Sequence, residues 1–137
     1  YTHEKNPVAS AAGLATIQCL EDEHLLENAA KMGDYALQRM RGLAARHPLI
    51  GDVRGLGLLM GMELVRNRQT TERANAEAER VMYGALRRGL NFKLTMGNII
   101  TLTPALNITR EETERALDIL DESIAEVEQH RVSVSAS

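Results

Sequence analysis

The stretch Ile50-Gly51-Asp52-Val53-Arg54-Gly55-Leu56-Gly57-Leu58-Leu59-Met60-Gly61-Met62-Glu63-Leu64-Val65 constrains this chain more than any other. Its glycines deny it a stable helix, and its apolar run is too short for a buried helix. Residues 49–66 therefore read as strands. Helical periodicity frames it on both sides. Asn6 before Pro7 reads as a helix start, since Asn caps free amides and Pro at the first helical position gives up no needed donor. That helix runs through Ala9, Ala12, Leu14, Ala15 and Ile17, and its alanines imply close packing against another surface. A second helix starts near Asp22, carries Leu25, Leu26, Ala29, Met32, Leu37, Met40 and Leu43 at helical spacing, and ends by Arg46. His47 precedes Pro48 and is pushed out of the helical region.

After a polar loop at 67–71 a third helix follows, with Ala74, Ala78, Val81, Met82 and Ala85 on one face. Gly89 sits where a left-handed helix end is wanted. Leu90–Leu94 and Ile99–Thr103 are strand candidates joined by a turn at Met96-Gly97-Asn98. Thr109 with Glu112 forms a capping box for the last helix, whose apolar face is Ala116, Leu117, Leu120, Ile124 and Val127. The expected fold class is α+β: a small, mostly antiparallel sheet with helices packed on one side. Residues 1–21 read as a lead-in segment and helix, 22–130 as the domain proper, and 131–137 as a frayed tail. The opening Tyr1-Thr2-His3-Glu4-Lys5-Asn6-Pro7 lacks an initiator Met, which suggests a piece of a longer polypeptide.

Composition narrows the function. With 16 basic residues against 19 acidic ones and 3% aromatics, a nucleic-acid partner is disfavoured. No apolar run approaches a membrane span. The single Cys19 excludes an internal disulfide and a Cys-rich metal site, and on an apolar helix face it reads as an inert core thiol. The four histidines are scattered without ligand spacing, so no metal is expected. Gly55, Gly57 and Gly61 miss the dinucleotide fingerprint by one residue and read as close backbone packing. On residues alone, the chain is an α+β domain without a complete active site.

Five segments, in order, resemble one family, the class III pyridoxal-phosphate aminotransferases. Thr2-His3-Glu4-Lys5-Asn6-Pro7-Val8-Ala9 resembles its T-x-x-x-N-P-[VL]-A stretch. Ile50–Leu58 is similar to its GDVRG-x-GLL turn, and Met60–Val65 to the G-x-E-x-V continuation. Arg88-Gly89-Leu90 resembles its RGL, and Thr103–Glu112 its x-PPL-x-I-T-x-E-E. The branch of 4-aminobutyrate aminotransferases and dialkylglycine decarboxylase looks nearest. The resemblance implies the small C-terminal domain of a fold-type I enzyme that moves an amino group from an amine or amino acid to a keto acid through pyridoxal 5'-phosphate.

The resemblance also implies a cytoplasmic homodimer or dimer of dimers. It places the Schiff-base lysine upstream, because Lys5, Lys31 and Lys93 match no motif; the fragment alone is then inactive and carries no catalytic residue. It assigns Thr2 to the cofactor phosphate across the dimer. Many members carry an arginine three residues before the proline, which clamps the substrate carboxylate; here Thr101 stands in its place and is expected to border the substrate pocket. The competing expectation is a stand-alone α+β ligand-sensing or interaction domain.

Overall fold

The computed structural model describes residues 6–135, with side chains up to residue 130. In chain order the elements are α1 (Pro7–Asp22), α2 (Leu25–Arg46), β1 (Ile50–Leu56), β2 (Leu59–Asn67), β3 (Glu72–Arg73), α3 (Asn75–Arg87), β4 (Lys93–Thr95), β5 (Ile99–Leu102) and α4 (Arg110–Ser135). The sheet order is β1-β2-β5-β4, with the short β3 on β2, and every pairing is antiparallel. The α+β fold expected from the sequence is therefore the observed one. No described helix is long and apolar enough to cross a membrane.

Local chemistry sets the helix ends. The Asn6 Oδ1 accepts the Val8 N–H at 2.9 Å and Pro7 opens α1. α1 and α2 break at His24, which adopts φ +51°. α2 stops at His47, held extended before Pro48. Gly89 takes φ +93° after α3, as expected of a residue without Cβ. At α4 the capping box forms in full: the Thr109 N–H and hydroxyl both donate to Glu112 Oε2 at 2.8 Å, and the Glu112 N–H donates to Thr109 Oγ1 at 3.2 Å.

The core lies between one sheet face and α2, α3 and α4. β2 supplies Met60, Met62 and Leu64, β5 supplies Ile100, and α4 supplies Leu117, Leu120 and Ile124, all but excluded from solvent. α1 differs: none of its residues is buried, and Val8, Leu14 and Ile17 are exposed. This overturns the expectation for Cys19, which is exposed rather than a core thiol. The close packing expected of this alanine-rich helix is not supplied among the described residues beyond its contact with α2.

Two contacts fix the layers. Gly33 of α2 lies directly on the β1–β2 turn, where a Cβ would fall within the Gly57 carbonyl; Gly57 itself turns the chain at φ +53°. At the other end of β1, buried His47 joins the α2–β1 junction to α4. Its Nε2 lies 2.6 Å from Asp121 Oδ1 and its Nδ1 2.8 Å from Glu128 Oε2, while Glu128 Oε1 accepts the Leu49 N–H at 2.9 Å. Arg68 closes the same corner from the β2–β3 loop, donating to the carbonyls of Ala44, His47 and Ile50.

Replacing Gly33 by Ala forces backbone apart, and roughly 1–3 kcal/mol of stability should be lost. Gly42→Ala, exposed in the same helix with open space at its Cβ, should instead add up to about 1 kcal/mol. Urea unfolding midpoints of the two variants check this; equal midpoints would contradict the close contact.

The Asp121 carboxyl carries a pH dependence of known sign. Burial raises its pKa, but the His47 hydrogen bond and the Arg46 and His47 charges outweigh burial and leave it below the ordinary value. The stabilisation is complete above the unfolded carboxyl's pKa and is lost as pH falls through the lower folded one. Asp121→Asn should therefore lower stability at neutral pH and flatten the loss below roughly pH 4. A series of unfolding midpoints against pH tests it, and an acid limb as steep as in the parent chain counts against the clamp.

Candidate functional site

The sheet face turned away from the helices is organised by the β4–β5 hairpin. A three-residue turn, with Met96 at φ +55° and Gly97 at φ +84°, sets Thr95 opposite Ile99, Leu94 opposite Ile100 and Lys93 opposite Thr101. β5 continues the register onto β2, with Thr101 opposite Gly61 and Ile99 opposite Glu63. β1 completes it, with Arg54 opposite Gly61 and Asp52 opposite Glu63. Directly paired residues share a face. Two rows therefore cross this face: Arg54, Gly61, Thr101 and Lys93 in one, and Asp52, Glu63, Ile99 and Thr95 in the next.

Thr101 sits at the centre of the first row. Its neighbour Ile100 points into the core, fully buried, so alternation sends the half-buried Thr101 side chain outward. The Thr101 and Thr95 hydroxyls lie 2.8 Å apart. Between Arg54 and Thr101 the row has only Gly61, so a shallow notch opens there, walled by Arg54, Leu56, Leu59 and Thr101. On its other flank Thr101 borders a mostly apolar cleft of about 190 Å³, with Phe92, Lys93, Pro104 and Leu117 among its walls.

Arg54 is not free to meet a ligand as a bare charge. Its Nη1 donates to Asp52 Oδ2 at 2.5 Å and to Glu63 Oε2 at 3.0 Å. The bond to Asp52, then that to Glu63, holds its pKa above the ordinary guanidinium value. Lys93 is exposed and has no ion pair among the described residues.

Of the two residues singled out from sequence, Thr101 is placed on this face, and Thr2 lies outside the described residues. Lys93 and Thr95 stand outside every motif. The hairpin's symmetry about Gly97 brings them to Thr101, and counting four residues either way from that glycine was the signal available. No group of three or more metal-ligating side chains gathers among the described residues.

Three of the four described helix starts are closed to the phosphate of a phosphorylated cofactor. α2, α3 and α4 each carry glutamate in the first turn, where it disfavours an anion. At α4 the Glu112 carboxylate fills the amide end itself, and the Thr109 backbone N–H, then its hydroxyl, hold that carboxyl below its usual range. Only α1 has no acidic residue in its first turn.

Known proteins resemble the chain over most of its length. The family described as aminotransferase class-III matches residues 1–124. The chain is 45% identical over 127 residues to an (R)-1-hydroxy-2-aminoethylphosphonate ammonia-lyase of Vibrio splendidus, covering 93% of this chain and 26% of that protein. It is 44% identical over 131 residues to a leucine/methionine racemase of Thermococcus litoralis, covering 96% and 30%. Thus the chain spans less than a third of the length of these curated relatives. Among solved structures, an amine transaminase from an uncultivated Pseudomonas species, in its PLP-bound form, superposes with a TM-score of 0.86 at 34% identity, covering 93% of this chain and 29% of that one.

Proposed function

The chain belongs to the class-III aminotransferases, and from that premise we propose that the full-length protein moves an amino group from an amine or amino acid to a keto acid. The observation that carries this reading is the placement of Thr101 at the centre of a notched sheet face, in a domain matching the family over residues 1–124. Pyridoxal phosphate, when bound, supplies the electron sink for such a transfer. This chain's residues bind and orient. Thr101 borders the substrate with a hydroxyl rather than a charged fork, and the Arg54–Asp52–Glu63 cluster holds the notch wall in place.

The lysine that bonds the cofactor belongs to the upstream part of the protein, and the chain by itself is inactive. Thr2 contacts the cofactor phosphate across a homodimer or dimer of dimers. This is supported by the motif around it and by α1, the one described helix whose first turn bears no acid. A cytoplasmic location rests on the family resemblance alone. A second reading follows from the two relatives described above: their names are those of a lyase and a racemase, at 45% and 44% identity. The full-length protein would then invert the amine-bearing carbon, or eliminate its amino group as free ammonia, without passing nitrogen to a keto acid.

One assay separates the readings. Full-length protein loaded with cofactor is given an amino donor and pyruvate in deuterated water. Transamination converts pyruvate to labelled alanine, elimination releases free ammonia and leaves pyruvate unchanged, and racemisation exchanges the α-hydrogen and inverts the α-carbon of the donor with neither alanine nor ammonia formed. The 137-residue chain, assayed alongside, should do neither; turnover by it would sink the placement of the catalytic lysine.

Thr2→Ala in the full-length protein should weaken cofactor binding about ten- to a hundredfold, the loss of one charge-assisted hydrogen bond. An unchanged cofactor dissociation constant removes Thr2 from the phosphate site. Thr101→Arg should raise the ratio of specificity constants for a carboxylated donor over its uncharged analogue by about tenfold, as one new charged pair supplies. A folded, cofactor-bound variant with the parent ratio places Thr101 away from the substrate.

A further inference from the structure

If Thr101 borders the substrate, its hydroxyl does not supply the cation that a carboxylate-bearing substrate needs, and the sheet holds one beside it. In the two rows across β1, β2, β5 and β4 the only cations are Arg54 and Lys93. Arg54 is consumed by Asp52 and Glu63, at 2.5 and 3.0 Å from one guanidinium nitrogen. Lys93 stands directly across the ladder from Thr101, exposed, with no ion pair among the described residues. Opposed residues on one face bring their Cβ atoms to about 4.5–5.5 Å, and a lysine's four-carbon stem reaches further still.

The two threonines complete the arrangement. With Thr95 Oγ1 2.8 Å from Thr101 Oγ1, one hydroxyl donates to the other, and the accepting hydroxyl keeps its own proton to give away. An anionic oxygen placed over this corner would meet an ammonium and a hydroxyl donor together. The acids of the face, Asp52 and Glu63, are on β1 and β2, where Arg54 bridges both and offsets one of their two charges; Lys93 and Thr95 are on β4, at the opposite end of the sheet order. Leu94, between Lys93 and Thr95, points into the core and anchors the strand that carries both.

We propose that Lys93, with the Thr95–Thr101 hydroxyl pair, binds the anionic group of the amino substrate in the full-length protein. It is thus a specificity residue that takes over, from the neighbouring strand, the charge Thr101 lacks. The chemistry it recognises is a carboxylate, sulfonate or phosphonate oxygen. An ammonium is a point charge with three donors, not a planar fork, so it accepts a tetrahedral sulfonate or phosphonate as readily as a planar carboxylate. The inference rests on the reading of Thr101 given above, and goes beyond it in naming the cation and the ligand class.

The test is a binding measurement that needs no turnover. Propionate, methanesulfonate and methylphosphonate, with neutral propionamide as control, are titrated by calorimetry into cofactor-loaded full-length protein. The parent protein should bind all three anions better than propionamide. Lys93→Met keeps the apolar stem and should weaken each anion about tenfold, the worth of one charge-assisted contact, with propionamide unchanged. Lys93→Arg should restore most of the loss, and Lys93→Gln, checked by circular dichroism, guards against a folding defect. Anion affinities unchanged in both Met and Gln variants overturn the assignment. If they stay unchanged while Thr101→Arg still tightens propionate, Lys93 is wrong and the Thr101 reading stands. If the parent binds no anion and Thr101→Arg changes nothing, both fall.

Discussion

The register of β2 is the constraint on which the rest of this structure depends. β2 pairs with β1 on one side and β5 on the other, so its alternation decides which residues of three strands face the helices. Met60, Met62 and Leu64 go inward, and Gly61 and Glu63 outward. A slip of one residue would reverse both sets, placing a glutamate in the core and three large apolar side chains in water. Several local features hold the register. Gly57 makes the tight turn from β1. Leu64 and Asn98 exchange bonds, the Leu64 N–H to the Asn98 carbonyl at 2.8 Å and the Asn98 side-chain amide to the Leu64 carbonyl at 2.9 Å. Asn98 belongs to the β4–β5 turn, so the same residue that pins β2 also sets the hairpin bearing Thr101.

Much of this was legible in the sequence because it is local. The Asn6-Pro7 start, the stop before Pro48, the left-handed Gly89 and the Thr109–Glu112 box each depend on atoms within a few residues, and each is found. The misreadings are long-range. β3 exists only through its pairing with β2 and has no pattern of its own. Leu90–Phe92 reads as strand from its apolar residues, yet β4 begins only at Lys93. Continued register would bring Leu90 opposite Pro104, which has no N–H to offer a ladder. The break at His24 is marked by neither glycine nor proline. Cys19 lies on the expected helix, but nothing in its local sequence says whether that helix is covered, and among the described residues it is exposed.

The site shows the same division. Thr101 could be placed on a strand, and on the outward side of it, by alternation alone. Its role as a border of the notch depends on Gly61, forty residues earlier in the chain, and on the commitment of Arg54 to two carboxylates. Neither is visible without the sheet order. An arginine motif in a sequence tempts one to count it as a ligand; here the geometry makes it a strut and leaves the lysine as the available charge.

α1 touches only α2 and buries none of its own side chains, and this has a kinetic consequence. A helix held by so little apolar contact opens without disturbing the β2–α4 core, since local unfolding costs only the interactions it breaks. The amides of α1 should therefore exchange with solvent before those of β2 and of the stretch of α4 that packs on the core. The sixteen residues of α1 thus form a separate unit of opening. Any surface laid over the exposed Val8, Leu14 and Ile17 would register directly as added protection in this unit.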